Sequence, residues 1–259
     1  MSVLVYIENT EGHLKKSAFE VATYGKDIAV QLGTETIAIT IGDIAKEELN
    51  KLGAYGISKI LHVSNDDLKS FVNQAYAAII ASGAKQQNAN VVVLSNTFSG
   101  KGLAPRIATK LEAGLVSGAT TIPTISGDTF EIKKTAFSNK AIANIIVESA
   151  VKVITVNPNG YAAKEIGGSA QVENFSAPVE ASDFGTIVKD IVRATDKISL
   201  PEAEIVVSAG RGMKGPENWA MVEELAEVLG AATACSKPVS DAGWRPHSEH
   251  VGQTGIVVS

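Results

Sequence analysis

Short apolar runs alternate with amphipathic segments through the first part of the chain. The runs that predict β-strands cover residues 3–7, 36–41, 59–63 and 91–95. Apolar side chains recur at helical spacing between these runs and predict helices over residues 18–32, 44–52 and 68–80. This alternation of strand and helix indicates a parallel sheet with helices on both faces, which places the chain in the α/β class.

The pattern changes after residue 117, where strand segments follow one another without helices. The predicted strands cover residues 119–125, 130–135, 141–147 and 151–157 and are separated by Gly, Asp, Ser and Asn turns. They are expected to extend or cap the sheet in antiparallel fashion. Residues 160–182 have little periodic pattern, and a domain boundary is predicted near residue 200, giving domains 1–198 and 199–259.

The second domain opens with a strand, a glycine turn and a helix. Residues 204–208 are a short β-branched run, Gly-Arg-Gly follows at 210–212, and helical spacing returns at Val222, Leu225, Ala226 and Leu229. Glycine lets the backbone approach a ligand, and the free N–H groups at a helix start favour anions. Arg211 could reach such a ligand, although the tripeptide alone is better explained as a tight turn with a surface arginine, because it lacks GxGxxG spacing.

A second glycine-rich segment occupies residues 99–118, SGKGLAPRIATKLEAGLVSG. Gly-Lys-Gly at 100–102 lies between a predicted strand and a short helix, where successive N–H groups could cradle a phosphate. The segment lacks the GxxxxGK[ST] spacing of a P-loop. A packing turn is therefore the favoured interpretation.

Composition and charge narrow the choice of partner and compartment. The 259 residues suffice for one large or two ordinary domains. The net charge is −5 and lysine and arginine form no block, so no nucleic-acid or anionic-membrane partner is predicted. The single cysteine excludes an internal disulfide and the amino terminus lacks a signal pattern, which favours a reducing, cytoplasmic compartment. No apolar run approaches the roughly 20 residues that span a bilayer.

No catalytic or metal-binding residues are predicted. Cys235, His247 and His250 can ligate metals, but a neighbouring proline and glycine place the histidines in a loop. Trp219 and Trp244 are interpreted as packing or interface residues. Paired carboxylates and a serine–histidine–aspartate arrangement are not evident, and no GxGxxG follows a predicted strand, which disfavours a nicotinamide dehydrogenase. The chain is therefore not expected to be an enzyme with its own substrate.

Residues 205–255 read IVVSAGRGMKGPENWAMVEELAEVLGAATACSKPVSDAGWRPHSEHVGQTG and resemble the signature of the electron transfer flavoprotein alpha subunit. The opening VLVYIE, the LAPR after residue 102 and the NPN at 157–159 extend the resemblance along the chain. It implies a first domain of the nucleotide-binding, adenine nucleotide hydrolase-like type and a second, Rossmann-like domain that holds FAD. It also implies a heterodimer with the beta subunit, contacted through the first domain. Such carriers take electrons from dehydrogenases, for example the acyl-CoA dehydrogenases of fatty acid β-oxidation, and pass them to an acceptor.

The resemblance also implies a set of flavin-binding residues, with residues 236–241 beside the flavin. The set is Arg211, Ser236, Lys237, Gln253, Thr254 and Gly255. Residues 253–255 would line the isoalloxazine, with the Thr254 hydroxyl placed to hydrogen-bond ring N5. A fixed positive charge and a hydroxyl donor both favour the more negative, reduced flavin.

The sequence departs from the family pattern at Lys237, where Ser-Arg is usual and Ser-Lys stands here. Lysine keeps the positive charge but lacks the planar fork of donors that arginine presents. We expect a shifted stability of the one-electron-reduced flavin and retained binding.

Family members also continue beyond the QTG at 253–255 with segments that hold the pyrophosphate and adenosine. On this basis we expect the second domain to be a partial FAD domain and the chain alone to bind FAD weakly or not at all. The alternative function is a flavin-free nucleotide- or partner-binding module built on the first domain.

Overall fold

The computed structural model describes residues 1–137, 139–191 and 199–258. It divides the chain into two compact units, Met1–Asp190 and Ile191–Ser259. Residues 192–198 lie outside the described residues, so the boundary predicted at 198/199 stays a prediction. Among the described residues, no helix combines the length and the apolar character needed to cross a bilayer.

The first unit contains twelve described strands and four described α-helices. The strands are β1 (Ser2–Tyr6), β2 (Asn9–Thr10), β3 (His13–Leu14), β4 (Glu35–Ile41), β5 (Lys59–Val63), β6 (Ala89–Ser95), β7 (Gly114–Ala119), β8 (Thr124–Ser126), β9 (Thr129–Ala136), β10 (Ala141–Val147), β11 (Lys152–Val156) and β12 (Gln171–Asn174). The helices are α1 (Lys16–Leu32), α2 (Lys46–Asn50), α3 (Asn73–Gln86) and α4 (Phe98–Leu111).

Ten of these strands form one sheet in the order β10-β9-β7-β11-β6-β1-β4-β5-β12, with β8 paired to β9. Along this sheet order, all neighbouring strands from β7 to the β12 edge pair in parallel. At the opposite end, β8, β9 and β10 are added in antiparallel pairing. The predicted α/β class is confirmed. Strand β1 is buried along its whole length, as expected for a central strand covered on both faces.

Alternate side chains of the central strands feed two separate cores. Val3 and Val5 of β1 pack with α1 on one face, and Leu4 packs with α3 and α4 on the other. Helix α1 comes very close to β1, because a Cβ placed on Gly25 would lie 2.4 Å from Cγ2 of Val5. The glycine in the middle of α1 is thus required by packing and not by a turn.

Three predictions in the first unit are wrong. Gly-Lys-Gly at 100–102 forms no turn, since it lies inside α4, whose start is capped by the Thr97 hydroxyl accepting from the Gly100 N–H at 3.0 Å. The strand predicted over 119–125 is interrupted between β7 and β8. Strand β11 is not antiparallel, because it inserts in parallel between β6 and β7.

The second unit is a small parallel arrangement of two strands and two helices. Its elements are β13 (Val206–Ala209), α5 (Ala220–Leu229), β14 (Ala232–Cys235) and α6 (Lys237–Asp241), with 3₁₀ turns at Leu200–Glu202, Arg211–Met213, Pro216–Asn218 and His247–Glu249. Strands β13 and β14 pair in parallel, and α5 connects them.

The predicted apolar stripe of α5 is only half buried among the described residues. Val222 and Ala226 face the small core, whereas Leu225 and Leu229 are exposed. This unit has two apolar clusters. The cluster on one face contains small side chains such as Ala232 and Ala234, and the cluster on the other contains one large side chain, Trp219. Burial in this unit is therefore modest compared with the first.

We expect Gly25→Ala to lower the free energy of unfolding by about 1–3 kcal/mol, because the added methyl meets a β-branched side chain that is stiff at χ1. Gly83→Ala is the matched control, since the one atom closer than 3.0 Å to its methyl would be the terminal Cδ1 of Ile39, at 2.8 Å, with the next neighbours at 3.7 and 3.8 Å. Urea titrations followed by circular dichroism compare the two variants. Equal midpoints, or a more stable Gly25→Ala, would contradict the packing explanation.

Candidate functional site

Two turns of the second unit lie against each other at the carboxyl ends of its strands. Gly-Arg-Gly at 210–212 follows β13, and Ser236 follows β14. The Ser236 N–H donates to the Ala209 carbonyl at 3.1 Å, and a Cβ on Gly210 would lie 3.4 Å from the Ser236 hydroxyl. Because the strands are parallel, both turns open on the same edge.

A third segment joins this edge beside β14. The Val251 N–H donates to the Cys235 carbonyl at 3.0 Å, so the chain at residues 250–251 runs parallel to the end of β14. The turn at 253–255 follows, and the Ile256 N–H returns to the His250 carbonyl at 2.7 Å. A Cβ on Gly255 would lie only 2.4 Å from that carbonyl oxygen. This close approach requires glycine at 255.

The edge exposes cationic and polar side chains. Arg211, Lys237, Gln253 and Thr254 are exposed, and Ser236 is partly buried. Neither Arg211 nor Lys237 has an ion pair with any described residue. The geometry thus gathers the three sequence segments that carry the predicted flavin-binding residues. It offers positive charge and hydrogen-bonding groups in the place where open parallel sheets bind ligands.

A charged cluster around Arg245 in the second unit was not predicted. The Arg245 guanidinium donates from Nε to Glu249 Oε2 at 2.7 Å, from Nη2 to Glu249 Oε1 at 2.8 Å and from Nη1 to Glu223 Oε1 at 2.8 Å. Its Cζ lies 5.6 Å from the centre of the Trp219 ring. The i,i+4 spacing of arginine and glutamate was visible in the sequence, but the neighbouring proline gave no reason to expect a fixed geometry there.

The side chains of this unit that could bind a metal make other contacts. His247 Nδ1 lies 2.7 Å from the Ser240 hydroxyl, and His250 is buried beside Cys235, with which it forms a parallel bridge. Burial, followed by the negative charge of Glu249, raises the pKa of the Cys235 thiol. Within residues 1–137, 139–191 and 199–258, no group of three or more His, Cys, Asp and Glu side chains could hold a metal ion.

The corresponding carboxyl edge of the first unit is occupied by its own polar side chains. The Thr97 hydroxyl donates to Glu8 Oε1 at 2.6 Å while it accepts from the Gly100 N–H, so a carboxylate of the chain itself lies beside the start of α4. The Asn96 amide donates to Asn157 Oδ1 at 2.7 Å. The sequence favoured a packing turn over a phosphate cradle here, and the structure shows an internal hydrogen-bond network at this edge.

Both units match known families. Residues 3–180 match the model of the electron transfer flavoprotein domain, and residues 199–259 match that of the electron transfer flavoprotein FAD-binding domain. The chain is 31% identical over 258 residues to the electron transfer flavoprotein subunit alpha of Bacillus subtilis, covering 99% of this chain and 78% of that protein. It is 33% identical over 264 residues to the subunit alpha of Pseudomonas aeruginosa, covering 100% and 81%. The probable mitochondrial subunit alpha of Caenorhabditis elegans is 27% identical, with coverage of 100% and 76%.

Gly255→Ala should lower the unfolding free energy of the second unit by about 1–3 kcal/mol, because the methyl would overlap a backbone carbonyl that cannot rotate away. The chain has two tryptophans, Trp219 and Trp244, so tryptophan fluorescence in a urea titration reports on this unit. Gly212→Ala is the control, since its Cβ would meet no heavy atom within 4 Å. A midpoint for Gly255→Ala equal to that of Gly212→Ala would argue against the tight turn.

Proposed function

The chain belongs to the electron transfer flavoprotein alpha-subunit family, and we propose that the carboxyl edge of its second unit holds the flavin of this electron carrier. FAD is the cofactor of the matched domain, and it supplies reversible acceptance and release of electrons when bound. The match of residues 199–259 to the FAD-binding family favours the carrier over the flavin-free module that the sequence left open.

The observation that carries the proposal is the convergence of three turns whose polar side chains remain available. Ser236, Gln253 and Thr254 make no side-chain hydrogen bond with the described residues, and Arg211 and Lys237 make no ion pair with them. Gly210 and Gly212 leave the backbone open to close approach. The residues present therefore fit a ligand that is anionic at one end and rich in hydrogen-bonding groups.

Each residue of the set has a proposed role. Arg211 and Lys237 bind and neutralise negative charge, which favours the reduced over the oxidised flavin. Ser236, Gln253 and the backbone at Gly255 would orient the ring, and the Thr254 hydroxyl would supply a hydrogen-bond donor to it. These assignments rest on the family resemblance, and the exposure of the side chains supports them.

We further propose that the protein carries electrons without a substrate of its own. Its partners would be the beta subunit, which completes the heterodimer through contacts with residues 1–198, and dehydrogenases such as those acting on acyl-CoA as electron donors. The absence of a sequence pattern for a nucleophile or a general acid–base pair supports a carrier. The cytoplasmic location stays a prediction.

The direct experiment mixes the chain with its beta subunit and FAD, removes free flavin and records the visible spectrum. A retained flavin spectrum that bleaches when a donor dehydrogenase and its substrate are added is the expected result. The chain without the beta subunit is the parallel sample, and we expect it to retain little flavin. A colourless mixture would overturn the proposal for this chain.

Lys237→Gln should make the flavin potential more negative, on the order of tens of millivolts, because a cation no longer offsets the charge gained on reduction. Lys237→Arg should keep binding but shift the potentials, since the planar guanidinium presents its charge differently. Lys214→Gln removes the same charge from the exposed end of the neighbouring 3₁₀ turn and serves as the control. Potentiometric titration of the complex measures these potentials. If both Lys237 variants have the potentials of the natural chain, the assignment of Lys237 to the flavin site is rejected.

A further inference from the structure

The turn at 253–255 is joined to the rest of its unit through its two flanking segments, residues 250–251 and residue 256, which together are called its root. On one side, Val251 is tied to Cys235 by a backbone hydrogen bond of 3.0 Å, and on the other, Ile256 is tied to His250 by one of 2.7 Å. The side chains of Val251 and Ile256 pack partly buried against Ala232 and Ala234. Since Gln253 and Thr254 make no side-chain hydrogen bond with the described residues, the direction of the turn depends on this root.

Glu249 immediately precedes the root and is held by Arg245. The pair is bidentate, with N–O distances of 2.7 and 2.8 Å, and the side-chain exposures are 14% for Arg245 and 5% for Glu249. The same guanidinium reaches Glu223 on α5, whose side chain is 50% exposed. Arg245 thereby connects α5 to the segment from which the turn emerges.

The contact between Arg245 and Glu249 is specific in its orientation as well as short. A guanidinium and a carboxylate joined by two parallel hydrogen bonds fix each other in distance and in plane. The face of Trp219, which is 2% exposed, limits the guanidinium from a further direction. Breaking a buried pair of this kind leaves an uncompensated charge, so the segment before the turn has one favourable arrangement.

We propose that Arg245 is a positioning residue for the flavin site, acting through Glu249 to hold the 253–255 turn against the carboxyl end of β14. The inference rests on the proposed function for its relevance to flavin, and on the contacts of Arg245 for its mechanical part. Arg245 itself does not touch the cofactor in this scheme. It sets the position from which Thr254 and Gln253 meet the ring.

The test compares three variants of the full chain. Glu249→Gln keeps the size of the side chain and removes the charge, and Arg245→Lys keeps the charge and removes the fork of donors. Glu223→Gln is the matched control, because it removes the exposed partner of the same arginine, and exposed pairs contribute little. Tryptophan fluorescence in urea first establishes that each variant is folded under the conditions used.

The first readout is amide hydrogen exchange in the flavin-free chain. We expect exchange at Val251 and Ile256 to accelerate by about tenfold or more in Glu249→Gln and Arg245→Lys relative to the amides of Ala232 and Ser236, which belong to the β13–β14 pairing. Glu223→Gln should leave this ratio unchanged. Uniform acceleration across the unit, or no change, would mean that the pair contributes only general stability, and would overturn the proposal.

The second readout is the dissociation constant for FAD, measured on the complex with the beta subunit by flavin fluorescence. An increase of about tenfold is expected for Glu249→Gln, comparable with the loss of a partner that orients a ligand-binding group, with Glu223→Gln unchanged. Unchanged affinity in Glu249→Gln would count against a positioning role. If the natural complex holds no FAD, the proposed function fails, and the exchange ratio alone then decides whether Arg245 holds the turn.

Discussion

Parallel pairing of β13 with β14 is the constraint on which the proposed site depends. Parallel strands end on the same side, so the turn after each strand must open at one edge of the sheet. The hydrogen bond from Ser236 to Ala209 continues this pairing beyond the strands, and the one from Val251 to Cys235 adds a third parallel segment beside β14. Glycine at 255 then lets the 253–255 turn approach the His250 carbonyl closely, and the charged and polar side chains of the three segments share one edge.

The two units use the same edge of a parallel sheet in different ways. In the first unit, apolar side chains fill both faces of a long sheet, and the polar groups at its carboxyl edge bond to one another through Glu8, Asn96 and Thr97. In the second unit, the described clusters are small, and polar side chains at the edge remain available. A unit with little apolar burial depends more on specific polar contacts to fix its loops, and the pair of Arg245 and Glu249 supplies one.

The sequence was most informative where a strand is a simple apolar run between turn residues, as at 59–63 and 141–147, which coincide with β5 and β10. The turn predicted from the glycines at 100–102 is part of a helix instead. The Thr97 cap starts that helix earlier, and its packing brings Gly100 against the Ser95 carbonyl. Strand β12 carries polar residues and forms only by pairing with β5, so no local pattern predicted it.

The flavin-binding set came from family resemblance, whereas the contacts of Arg245 join residues 223, 245 and 249 through folding of a loop that has no periodic pattern.

The cations of the second unit divide into two kinds by their surroundings. Arg245 is bonded to two carboxylates, whose negative charges together outweigh its single positive charge, so this cluster offers no positive field to the candidate site. Arg211 and Lys237 are exposed and have no ion pair within the described part of the chain. Charge that is to favour a reduced flavin has to be uncompensated, whereas charge that fixes a loop has to be paired. In the proposed site, the electrostatic role therefore falls to Arg211 and Lys237, and the mechanical role falls to Arg245.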